Sequence, residues 1–176
     1  MRASRLSIAA AFMLCAGVPA IAAHHEGAGH ATAELKDAQG AVKGKAMFMD
    51  GKDGLSVTLN AEGLPPGVHA VHLHTTGACT APDFKSAGGH WNPMSKQHGK
   101  DNPAGAHMGD MPNMTVGADG KGKFQTVVPH GMLTGGDHPL LDADGAAIVI
   151  HATADDYKTD PTGNAGDSLA CGVVTK

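Results

Sequence analysis

Gly67-Val68-His69-Ala70-Val71-His72-Leu73-His74 is the stretch from which the fold can be read. Three histidines stand among residues that favour strands. In a strand, successive side chains point to opposite faces. His72 and His74 therefore share one face, and Val71 and Leu73 share the other. Two neighbouring imidazoles on a stiff, apolar-backed element make half of a transition-metal site. His69 has the parity of Val71 and Leu73, so it is not expected to be a ligand beside the other two.

The same alternation recurs on either side. Thr32 to Lys36, Ala41 to Met49 and Leu55 to Asn60 are strand-like runs separated by Asp37-Ala38-Gln39-Gly40 and Asp50-Gly51-Lys52-Asp53-Gly54. Asn113 to Val116 and Lys123 to Val128 form a hairpin pattern around Ala118-Asp119-Gly120. Ala146 to His151 is an apolar strand ending in histidine, and Ala170 to Thr175 is the last. The 176 residues suit one domain, and 25 glycines with 3% aromatics suit short strands and many turns. About eight antiparallel strands with two long loops predict an all-β Greek-key barrel or sandwich. A net charge of −4 gives no reason to expect nucleic acid or an anionic membrane as partner.

The N-terminus reads as an export signal. Arg2 and Arg5 precede an apolar run from Leu6 to Val18, and Ala20-Ile21-Ala22 offers a cleavage site, so residues 1–22 are expected to be removed. Leu14 before Cys15 does not fit a lipid-modification motif. Residues 23–31, with His24, His25 and His30, read as a flexible tail, either metal-capturing or merely polar. Residues 32–176 are the expected domain. Cys79 and Cys171 remain after cleavage. Two cysteines in an exported chain imply one disulfide, the other reading being two reduced, buried thiols. A bridge closing a loop of about ninety residues would contribute on the order of 4–5 kcal/mol through loop-closure entropy.

Thr76 to Pro112 has no helical or strand period, yet it carries Cys79, His90, His98, His107 and Asp110. A loop this long is usually functional or disordered, and a disordered linker has no need of such residues. Ala152 to Leu169 is the second long loop. His72, His74 and His151 lie in or at the end of strands, where position is fixed; rigid imidazoles suit copper. Three histidines and a carboxylate on a loop suit tetrahedral zinc, whose binding can order the loop. His130 and His138 fit neither group and read as ordinary loop histidines.

These residues resemble the copper/zinc superoxide dismutase family, in its exported bacterial branch. The resemblance rests on the 67–74 stretch, Ser86-Ala87-Gly88-Gly89-His90-Trp91-Asn92-Pro93, His98-Gly99, and His107-Met108-Gly109-Asp110. It continues through His151-Ala152-Thr153-Ala154-Asp155-Asp156 and Gly163-Asn164-Ala165-Gly166-Asp167-Ser168-Leu169-Ala170-Cys171. It implies a periplasmic enzyme that disproportionates superoxide, with one copper and one zinc per subunit. His72, His74, His90 and His151 would hold copper; His90, His98, His107 and Asp110 would hold zinc, with His90 as the bridging imidazolate. Asp155 would orient one imidazole of each set, His69 would support the copper side without binding, and Cys79 and Cys171 would be the family's disulfide. His90 would take a proton when copper is reduced. The family forms dimers and, among exported members, monomers, so a homodimer is one expectation.

One departure stands out. The family usually carries an arginine three residues before the second disulfide cysteine, beside the copper channel; here Ser168 stands there. A guanidinium would attract the superoxide anion, whereas a serine offers only a hydroxyl and Asp167 has the wrong sign. Lys158, on the same loop, is the candidate substitute. The missing arginine and the histidine tail motivate a second reading, a periplasmic copper-buffering protein. A third reading is a structural sandwich with incidental histidines.

Overall fold

A computed structural model describes residues 29–176. Nine strands form one antiparallel sheet: β1 (His30–Lys36), β2 (Val42–Gly51), β3 (Gly54–Ala61), β4 (Gly67–His69), β5 (Val71–His74), β6 (Met114–Val116), β7 (Gly122–Pro129), β8 (Ala147–His151) and β9 (Ser168–Val173). Their order in the sheet is β4-β6-β7-β3-β2-β1-β9-β8-β5. The two ends of the sheet are therefore consecutive in sequence. β4 pairs with β6 and β5 pairs with β8, so the single stretch 67–74 closes the sheet into a barrel. The ninth strand arises because this run divides at Ala70. The Ala70 N–H donates to Thr153 O at 2.9 Å, and its carbonyl accepts from His151 N at 3.0 Å, pulling the chain from one partner to the other.

Alternating burial along β1 and β2 sends Ala31, Ala33, Leu35, Ala46 and Phe48 inward, where they meet Leu55, Val57, Leu59, Leu73, Ile148 and Ile150. β5 and β8 are buried on both faces. Inward, Val71 lies opposite Ile150 and Leu73 opposite Ile148; outward, His72 lies opposite Val149 and His74 opposite Ala147. The outward face is covered by the long loop, and a second small core forms there from Phe84, Ala87, Ala147, Val149 and Cys171. A disulfide joins Cys79 to Cys171, Cα atoms 5.7 Å apart, and ties that loop to β9.

His30 and Ala31 lie in β1, not in the tail expected over 23–31: His30 pairs with Met49 and Ala31 with Phe48. Buried Ala31 shows why, since its methyl joins the core. The expected signal over 1–22, and His24 and His25, lie outside the described residues. Among the described residues, no helix is long and apolar enough to cross a membrane.

Candidate metal centre

The loop from Thr76 to Pro112 is bound back onto β5 by its own backbone. Leu73 N donates to Gly109 O at 3.0 Å, Trp91 N to Leu73 O at 2.8 Å, and Gly109 N to Trp91 O at 2.8 Å. Gly109 has no room for a side chain: a Cβ there would strike Leu73 O. This packing carries His90 to His74 and Asp110 to His72 as isolated bridges. Among the described residues, seven histidines become buried: His69, His72, His74, His90, His98, His107 and His151.

Two four-residue clusters result. His72, His74, His90 and His151 each bring one ligand atom within 4.8 Å of the others; so do His90, His98, His107 and Asp110. His90 belongs to both. Its Nδ1 lies 2.8 Å from Asp110 Oδ1 and 3.4 Å from His107 Nδ1, which commits that nitrogen to the loop cluster. Its Nε2 is buried and has no hydrogen-bond partner among the described residues.

The remaining hydrogen bonds decide which nitrogens are free. His72 Nε2 donates to Asp155 Oδ2 at 2.9 Å, and His74 Nδ1 donates to Gly88 O at 2.8 Å. His72 Nδ1, His74 Nε2 and both nitrogens of His151 are buried without a hydrogen bond of ordinary geometry. Orphaned buried polar atoms are costly and rare. So many in one place fit a bound cation. Burial lowers the pKa of His72 to about 3, of His74 to about 4 and of His151 to about 3, each helped by its imidazole neighbours. All three are neutral at pH 7, with a lone pair available. An all-imidazole set suits copper.

The loop cluster has a different geometry. Three Nδ1 atoms crowd one oxygen: Asp110 Oδ1 is 2.8 Å from His90, 3.0 Å from His98 and 3.1 Å from His107. His98 Nδ1 makes no aligned hydrogen bond despite that distance. A tetrahedral zinc about 2.0–2.1 Å from each ligand spaces the ligands about 3.3–3.4 Å apart, so the cluster fits zinc with slight expansion. Burial works against charge on Asp110, yet hydrogen bonds from His90 and Gly99 N and the close His98 and His107 imidazoles hold its pKa far below the usual carboxylate range. Burial also opposes a charged His98, but the carboxylates of Asp110 and Asp155 outweigh it and raise its pKa to about 9.

Asp155 spans the two clusters. Its Oδ2 faces His72, and its Oδ1 accepts from His98 Nε2 at 2.9 Å and from Tyr157 N at 2.6 Å. Burial opposes its charge, but hydrogen bonds from His72 and His98 keep its pKa well below normal. Two residues given no role from the sequence hold it there. Asn113 accepts from Asp155 N at 2.8 Å and donates to its carbonyl at 2.9 Å. Gly163, at φ 65°, leaves room where a Cβ would strike Asp155 and His98 Nε2. Gly163 could have been found in the Gly163-Asn164-Ala165-Gly166 motif; Asn113 carries no local signal.

His69 sits between two carbonyl oxygens, His151 O at 2.8 Å from Nδ1 and Pro65 O at 2.9 Å from Nε2, and belongs to neither cluster. Ser168 opens β9 directly opposite His151. Lys158 is exposed, its carbonyl accepts from Asn102 Nδ2 at 3.4 Å, and its backbone lies against Gly99 beside His98. No hydrogen bond or ion pair among the described residues joins it to Ser168 or to His151. His130 is exposed and His138 half-buried, and neither enters a cluster.

The copper/zinc superoxide dismutase family model matches residues 42–174. The chain belongs to that family. It is 47% identical over 146 residues to a Cu-Zn superoxide dismutase of Aquifex aeolicus, covering 82% of this chain and 85% of the relative. It is 43% identical over 147 residues to the Cu-Zn enzyme of Caulobacter vibrioides, covering 82% and 84%. Among solved structures, a SOD-like protein from Bacillus subtilis superposes with a TM-score of 0.80 at 40% identity, covering 84% of this chain and 99% of that one.

Proposed function

We propose that this chain disproportionates superoxide to oxygen and hydrogen peroxide, using a copper held by His72, His74, His90 and His151 and a zinc held by His90, His98, His107 and Asp110. The observation that carries the reading is His90, which serves both clusters through opposite ring nitrogens. A copper buffer needs no shared ligand and no second cluster.

When bound, copper supplies reversible one-electron chemistry and zinc a fixed charge that lowers the basicity of His90. The protein supplies the rest. Val71, Leu73, Ile148 and Ile150 anchor the strand imidazoles from beneath. Asp155 and the Gly88 carbonyl fix the tautomers of His72 and His74, so that the free lone pairs face the cluster. His90 Nε2 can hold one proton while Nδ1 stays anchored beside Asp110, which places a proton donor where a peroxide must be protonated. The net reaction takes two superoxide anions and two protons.

The N-terminal Arg2, Arg5 and apolar run support export to the periplasm with removal of residues 1–22. Sedimentation of the mature chain decides between monomer and homodimer. The decisive experiment is superoxide decay measured directly on copper- and zinc-loaded mature protein. Catalysis at copper stoichiometry supports the enzyme; tight copper binding without catalysis supports the buffer.

A further inference from the structure

We infer that the outer face of the barrel carries a separate site for monovalent copper, built from His30, Met47 and Met49. Register and parity bring the three together. His30 on β1 lies directly opposite Met49 on β2, and Met47 is the next outward residue along β2. Their sequence neighbours Ala31, Ala46 and Phe48 point into the core. Met47 is 52% exposed and Met49 57% exposed, so neither thioether is there to fill the interior.

The surroundings are polar. Met47 lies between Thr32 and Thr58, and Met49 between His30 and Ser56. Two methionines flanked across the sheet by hydroxyls and an imidazole, with exposed Lys45 next along β2, make a poor apolar docking patch. They make a good soft-ion site. Directly opposed residues on paired strands have Cβ atoms about 5 Å apart, and same-face diagonal neighbours about 7–8 Å. A methionine side chain has three rotatable bonds, enough to bring both sulfurs and one imidazole nitrogen to a common point.

The donor set selects the ion. Thioethers favour Cu(I) over hard or borderline divalent ions. No carboxylate belongs to the trio: Glu34 on the same face is paired with Lys36 at 3.1 Å, and Asp50 Oδ1 accepts from Leu133 N at 2.7 Å. The two buried four-residue clusters, by contrast, are four imidazoles in one and three imidazoles with a carboxylate in the other, without sulfur. The surface site therefore differs from them in oxidation-state preference and in accessibility, and it stands whether or not the buried centre turns superoxide over. His24 and His25 precede it in the sequence and are the competing ligands to be excluded.

The test uses Ag(I), a redox-silent ion of the same charge and softness. It is titrated into the mature chain with copper and zinc already loaded, followed by native mass spectrometry and by the methionine ε-methyl NMR signals. One added Ag(I), with shifts at Met47 and Met49, is expected. The Met47→Leu/Met49→Leu variant keeps the strand and loses the sulfurs, and its Ag(I) affinity should fall at least about tenfold, as typically follows loss even of a ligand's supporting contact. Copper and zinc content and superoxide decay should be unchanged. Equal Ag(I) affinity in that variant overturns the site. So do methyl shifts at Met94 or Met132 instead, or loss of binding in His24→Ala/His25→Ala with the methionine signals unmoved.

Discussion

Replacing Asp155 by Asn should weaken copper more than zinc. The wild-type carboxylate accepts from three donors: His98 Nε2 and Tyr157 N on Oδ1, and His72 Nε2 on Oδ2. An amide has one oxygen. Placed at the Oδ1 position, that oxygen keeps two donors satisfied, and the amide nitrogen then faces the His72 N–H. His72 is fully buried, so no water can relieve the clash. Either a buried donor is left unpaired, costing about 1–3 kcal/mol, or the proton moves to Nδ1. Nδ1 is the nitrogen the copper cluster needs. Loss of such an orienting partner typically costs about 10–100-fold in metal affinity, or about 1.4–2.8 kcal/mol. Competition against chelators of known affinity, for copper and zinc separately, reads this directly. Copper affinity unchanged, or a deficit confined to zinc, would refute the reasoning.

Other outcomes follow from the same geometry. Ser168→Arg puts a cation opposite His151 and should raise the rate of superoxide decay and steepen its fall with ionic strength; pulse radiolysis at low and high salt checks both. The metal-free protein should lose stability below pH 6.5. His72, His74 and His151 have folded pKa values of about 3, 4 and 3, so the unfolded chain takes up protons first, and each group costs on the order of 2–3 kcal/mol by pH 4.5. His98 has the opposite sign: its folded pKa of about 9 adds stability below 6.5 that fades as pH rises through 9, and urea melts across pH 4.5–9.5 show both limbs. For the same reason zinc loading at pH 7.5 should release about one proton from His98, measured by calorimetry in buffers of different ionisation enthalpy. Gly163→Ala forces a methyl against Asp155 and His98 from a left-handed backbone, and should lower zinc retention on dialysis.

Residues on strands are read from sequence more easily than residues on loops, and this chain shows why. His72 and His74 can be assigned to one face because strand parity is a local property. The outward face of β5 and β8 is buried too, and parity cannot reveal that, because the cover comes from a loop tied down by Cys79. The division at Ala70 is equally hidden: nothing in Val68 to His72 breaks a strand, and the cause is the pull of Thr153 and His151, far along the chain. His90, His98, His107 and Asp110 are legible as ligand types, but their convergence depends on Gly109 and Leu73 meeting backbone to backbone. Asn113 is illegible because its role is a pair of backbone contacts to Asp155. Lys158 is not placed by sequence for a related reason, since sharing a loop with Ser168 says nothing about which side of the site it reaches.

Closure of the sheet by the single stretch 67–74 has a consequence for solubility. A sheet closed on itself has no free edge to recruit another chain. Here the guard is one eight-residue run, and its departure uncovers β6 and β8 together. β8 is Ala147-Ile148-Val149-Ile150-His151, an uncharged, β-branched segment of the kind that stacks between molecules. His72 and His74, on the run that must leave, share a cluster with His151 on the edge it would expose. A cation there is a clasp across the opening, so protection from aggregation and occupancy of the strand cluster are one property of this barrel.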